Sequence, residues 1–137
     1  MQTRGYKTIT VDTDYRFRPT HRVDVLAFDY KSLYPDPGHF DVIWASPPCT
    51  EYSIAKTIGT RDFEKADAVV KKCLEIINYY KPRRWVLENP YTGYLKSRPF
   101  MKGMHYDKVD YCVYERGRGR KKRTALWHSN PNFKPQQ

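Results

Sequence analysis

At 137 residues, 39% hydrophobic and 15% aromatic, the chain is long enough for one domain with a real core and too apolar for disorder. No apolar run approaches the roughly 18 residues that a membrane span needs, and the N-terminal stretch MQTRGYKTITVD has no signal-peptide apolar segment, so a soluble intracellular protein with no membrane partner is expected. The formal charge of +10 is unevenly spread: residues 1–81 hold 12 Lys/Arg against 11 Asp/Glu, whereas residues 82–137 hold 13 against 4.

Tyr6–Asp12 (YKTITVD) alternates and is rich in β-branched residues, which predicts a strand ending on an acid. Arg22–Phe28 (RVDVLAF) reads as a second strand, and Tyr34–Gly38, with two prolines, as a turn. Phe40–Ala45 (FDVIWA) is a short, almost continuous apolar run, the pattern of a strand buried on both faces of a parallel sheet. It stops at Ser46-Pro47-Pro48-Cys49. Asp62–Tyr80 carries apolar residues at 66, 69, 70, 73, 74, 76, 77 and 80, a helical stripe; Thr60 or Asp62 can cap it and Pro82 ends it. Arg84–Leu87 (RWVL) is another short buried strand, and residues 91–105 read as a loop. Lys108–Tyr114 and Thr124–Trp127 read as two strands flanking a basic run, and the polar tail Ser129–Gln137 as frayed. Strands alternating with a helical crossover indicate an α/β sheet, in which ligands and catalytic groups gather outside the carboxyl ends of the strands. Asp12, Asp24, Cys49 and Glu88 all fall at or near such ends.

The basic run is Arg116-Gly-Arg-Gly-Arg-Lys-Lys-Arg123, six cations in eight residues. A polyanion is its natural partner, nucleic acid the commonest; a solvated loop that aids solubility is the alternative. Three cysteines without a CxxC pair exclude a disulfide framework and a structural zinc site, and the four histidines show no ligand spacing, so no metal is expected. Cys73 lies on the helix's apolar stripe and Cys112 within an alternating strand, where each serves as a small hydrophobe. Cys49 has no such pattern: two prolines hold its loop stiff at a strand end, where a nucleophile would be placed. Glu88 ends the strand WVL and reads either as a proton-holding partner for that thiol or as a loop cap.

These segments together resemble the cytosine-C5 DNA methyltransferases. FDVIWASPPC over residues 40–49, followed by TEYS to Ser53, is similar to that family's nucleophile motif, and VLENP over 86–90 to its Glu-Asn motif, 39 residues beyond Cys49. RKKRTALW over 120–127 resembles the family's basic motif between two late strands, with Gly119 where that motif has glutamine. Val11-Asp12 and Val23-Asp24 resemble the acids that meet the ribose and the adenine amine of the cofactor. The style is that of small viral or phage members.

The resemblance implies a Rossmann-like, S-adenosyl-L-methionine-dependent methyltransferase fold over residues 1–137, closed by an antiparallel strand pair. It implies Cys49 as nucleophile, Glu88 as its acid partner and Arg123 as a further catalytic contact. Asp12, Asp24 and Pro47 would line the cofactor, and Ser53, Arg116, Arg118, Arg120, Lys121 and Lys122 would touch DNA. The family's first strand and its Phe-x-Gly-x-Gly turn have no counterpart here, so an N-terminally truncated core is expected, completed by a second chain or an N-terminal fragment. Two alternatives remain open: a non-catalytic or split-subunit DNA-binding relative, and a cysteine-dependent enzyme of another kind, for which no histidine is well placed beside Cys49.

Overall fold

The computed structural model describes residues 7–48, 63–91, 93–110 and 123–129. Cys49, Ser53, Cys112 and the basic residues Arg116, Arg118, Arg120, Lys121 and Lys122 lie outside them. The chain forms two compact units, Met1–Pro35 and Asp36–Gln137.

In the first unit, β1 (Val11–Asp12) and β2 (His21–Arg22) pair in parallel, with Val11 opposite His21 and Asp12 opposite Arg22. The connection holds a 3-10 turn at Tyr15–Phe17, capped by the Asp14 side chain. Thr10 and Thr20 lock the open end of the pair: each backbone N–H donates to the other's hydroxyl, at 3.0 and 2.8 Å. The strand expected over Arg22–Phe28 stops at Arg22. Asp24 accepts the Leu26 N–H on its carboxylate at 2.9 Å and so starts a 3-10 turn over Val25–Ala27. A short acid that bonds its own backbone two residues on competes with the ladder, and here the local bond wins. A four-residue helix, α1 (Tyr30–Leu33), follows and buries Tyr30.

In the second unit, β3 (Val42–Ala45), β4 (Arg84–Pro90), β5 (Tyr106–Asp110) and β6 (Arg123–His128) form one sheet in the order β3-β4-β6-β5. β3 and β4 are parallel and are joined through the helix α2 (Phe63–Tyr80); β6 runs antiparallel to both β4 and β5. The mixed α/β character and the late antiparallel pair are therefore present. Val70 of α2 packs with Ala45, Leu87, Ala125 and Trp127 of the sheet and with Leu95 and Met101 of the segment after β4. Val70, Leu87 and Leu95 are fully buried, and each such side chain contributes roughly 1.5–3 kcal/mol. The segment expected to be a plain loop thus completes the core, through 3-10 turns at Leu95–Ser97 and Pro99–Met101.

The observed helix matches the expected one at its C-terminus. Lys81 adopts a left-handed conformation (φ 45°), and its N–H reaches the Ile77 carbonyl at 2.8 Å before Pro82 stops the turn. Asp67, on the buried face of α2, receives both Nε and Nη2 of Arg98, the shortest bond being 2.7 Å. The same guanidinium stacks over Phe63 at 4.8 Å. β4 runs three residues past the expected Leu87, because Glu88, Asn89 and Pro90 find partners in Leu126, Ala125 and Thr124 of β6. Among the described residues, no helix is long and apolar enough to cross a membrane.

Candidate active site

Parallel pairing sets Ala45 opposite Leu87, so the chain leaves β3 beside Glu88. Two side-chain bonds then tie the loop after β3 to β4. The Trp44 indole N–H donates to Ser46 Oγ at 2.8 Å, and the Ser46 hydroxyl donates to Glu88 Oε2 at 3.1 Å. One residue on, Asn89 Nδ2 donates to the Pro47 carbonyl at 3.2 Å. Strand alternation divides the work: Leu87 and Asn89 are buried, whereas Glu88 between them is half-exposed.

Asn89 is 1% exposed, and its Oδ1 has no hydrogen-bond partner among the described residues. Burying an unmatched amide oxygen costs about 1–3 kcal/mol, a cost tolerated where the group holds something in place. What Asn89 holds is Pro47, itself buried, and thereby the stiff Ser46-Pro47-Pro48 segment that leads to Cys49. Cys49 itself lies outside the described residues, as does Ser53. Cys73 is the contrasting thiol: on α2, burial pushes it up to about 11, which makes it a poor nucleophile.

Arg123 opens β6, opposite Asp110, and is exposed. Its carbonyl accepts the Tyr91 N–H at 3.1 Å. Glu88 pairs with Leu126, three residues along β6, so alternation gives Arg123 and Glu88 opposite faces of the sheet. The chain between Asp110 and Arg123, which carries the basic run, joins two adjacent antiparallel strands.

In the first unit, Asp12 ends β1 and Asp24 follows β2 by two residues; both are exposed. Each uses Oδ1 to accept a backbone N–H two residues on, from Asp14 and from Leu26, both at 2.9 Å. These turns fix the carboxylates, and Oδ2 of each can still accept from a hydroxyl or an amine.

Sequence reading missed the parts played by Ser46 and Asn89, although both lie within the quoted motifs. It also missed a cluster of His105, Asp107 and His128, which only the register of β5 on β6 brings together.

The model of the C-5 cytosine-specific DNA methylase family matches residues 13–92, more than half of the chain. That stretch includes Asp24, Pro47, Cys49, Ser53 and Glu88. The chain is also similar to the probable DNA (cytosine-5)-methyltransferase of Frog virus 3 (isolate Goorha), with 37% identity over 150 residues; the match takes in 98% of this chain and 65% of the relative. Two strand-end segments tied to one another, at the motifs that define such proteins, and a family match that spans both of them lead to one assignment: the chain belongs to the C-5 cytosine-specific DNA methylase family.

Proposed function

We propose that the chain is the catalytic core of a DNA (cytosine-5)-methyltransferase with a Rossmann-like fold. The observation that carries this reading is the double tie between the loop after β3 and the end of β4, Ser46 to Glu88 and Asn89 to Pro47. It keeps a carboxylate and the approach to a cysteine together at adjacent parallel strand ends, where α/β sheets build their sites. The name of the Frog virus 3 relative favours the same chemistry.

C5 of cytosine is a weak nucleophile. Addition of the Cys49 thiolate to C6 forms an S–C6 bond and moves the ring electron pair toward C5. Glu88, oriented through Oε2 by Ser46, uses its other oxygen to hold the N3 and amino edge of the base as charge shifts there. After C5 gains its methyl group, loss of the C5 proton restores the C5–C6 double bond and expels the thiolate. The net change is one methyl for one proton. The target carbon is inaccessible in a stacked duplex, so the cytosine is flipped out of the helix.

S-adenosyl-L-methionine, when bound, supplies the methyl group. The donor set suits it: Asp12 and Asp24 are exposed carboxylates fixed by their own turns after parallel strands, able to accept from a ribose hydroxyl and an adenine amine. Pro47 would meet the methionine side of the cofactor. Arg116, Arg118, Arg120, Lys121 and Lys122 would bind phosphates, as would Arg123 on the sheet face opposite Glu88, with Ser53 nearer the extruded base.

Duplex DNA carrying 5-fluorocytosine tests the covalent step, because fluorine at C5 cannot leave as a proton does. With S-adenosyl-L-methionine present, wild-type protein should form a denaturant-stable adduct and Cys49→Ser should form none. An equal adduct with Cys49→Ser would refute Cys49 as nucleophile.

A further inference from the structure

We propose that His105, Asp107 and His128 form a binding site for a divalent transition cation of the zinc type, clipping the start of β5 to the end of β6. Tyr106 pairs with Trp127 and Asp107 with Leu126. Continued by one step, that register sets His105 opposite His128, and Asp107 shares their face because it is two residues from His105. The three side chains converge on one carboxylate oxygen: Asp107 Oδ2 lies 2.5 Å from His128 Nε2 and 3.5 Å from His105 Nε2. The candidate ligand atoms all lie within 4.8 Å of one another, and the two imidazole rings meet nearly edge to face, 6.2 Å apart.

Two imidazole nitrogens and one carboxylate oxygen are a donor set of the zinc class, and three protein ligands leave a fourth position for water. Metal–ligand bonds of about 2.1 Å in a tetrahedron put donor atoms roughly 3.4 Å apart. The pair at 2.5 Å therefore opens by about an ångström on binding, and the wider separation closes. The side chains allow it. His128 is 7% exposed and fixed, Asp107 is 22% exposed, and His105, at 76%, is free to swing inward. An antiparallel ladder held at this end by a cation would steady the strand whose opposite end is Arg123, next to the basic run.

Zinc titration of the full chain by calorimetry, paired with cobalt absorption spectroscopy, tests the site. One equivalent of Zn2+ should bind. His105→Ala, which alters an exposed side chain, should weaken binding by about tenfold or more, and Asp107→Asn and His128→Ala should do the same. Bound Co2+ should show visible ligand-field bands without the intense near-ultraviolet band of thiolate ligation, which separates this site from the three cysteines. Unchanged zinc affinity in His105→Ala, absence of saturable binding, or a thiolate band lost on cysteine replacement would each overturn the proposal.

Discussion

The Met1–Pro35 and Asp36–Gln137 units each hold a pair of parallel strands, but by different means. β1 and β2 are two residues each, and their bonds are local: the Thr10–Thr20 exchange and the turns capped by Asp12, Asp14 and Asp24. β3 and β4 are joined across a full helix and sit over a core drawn from distant segments. Candidate cofactor acids thus ride on turns that any local change can reset, whereas Glu88 and Asn89 ride on a strand paired on both sides. A site on a paired strand is positioned more firmly than one on a turn.

The largest expected effect breaks the long-range side of this comparison. Arg98→Ala leaves Asp67, 10% exposed in its side chain, without its guanidinium and removes the stack on Phe63. We expect a loss of about 3 kcal/mol, read from denaturant unfolding of the second unit. A loss below about 1 kcal/mol would show that the pair behaves as a surface bridge.

A smaller effect sharpens the local side. Asp24→Ala should cost about 1 kcal/mol of local stability, seen as faster hydrogen exchange at the Leu26 amide with the second unit unchanged. Asp24→Asn keeps a good cap but loses the charge. It should preserve Leu26 protection while weakening S-adenosyl-L-methionine binding. Equal cofactor affinity in wild type and Asp24→Asn would leave Asp24 with a structural role alone.

The smallest effect is electrostatic. The Arg16 side chain, then its backbone N–H, hold the Asp14 carboxyl below its ordinary 3.8. A carboxylate with a depressed folded value stabilises its turn above the unfolded value, and that contribution is lost as pH falls through the folded one. Protection of the Arg16 amide should therefore be flat through neutral pH and fall only below 3.8. The pair is exposed, so salt should blunt the effect. A change centred near neutral pH would point to another group.

The same contrast explains how much was legible in the sequence. VIWA and RWVL announce themselves as short apolar runs and the stripe from Ala66 to Tyr80 by its helical period. The expectation that VIWA is buried on both faces fails, because β3 ends the described sheet and leaves Val42 and Trp44 exposed. RVDVLAF looked like a strand by the same rule and is not one, because the Asp24 cap is a single bond that no period records. Cys49, Glu88 and the Glu-Asn pair were readable as motifs. The bonds that tie the two motif segments together were not, since Ser46–Glu88 and Asn89–Pro47 each span 42 residues. Asp67–Arg98 and the His105–His128 pairing are hidden for the same reason: each depends on which distant segment lies opposite.

The most direct test of the proposed chemistry follows the methyl group. Duplex DNA is incubated with the protein and methyl-labelled S-adenosyl-L-methionine and digested to nucleosides for mass spectrometry. Label should appear as 5-methylcytosine with the wild-type chain and vanish with Cys49→Ser. Asn89→Leu, which frees the Pro47 carbonyl while filling the same space, should lower the rate by roughly a hundredfold without changing the product, the scale of effect expected when a reacting group is misplaced by about an ångström. Label on the exocyclic amine, or undiminished 5-methylcytosine with Cys49→Ser, would contradict a thiolate route through the β3–β4 strand ends.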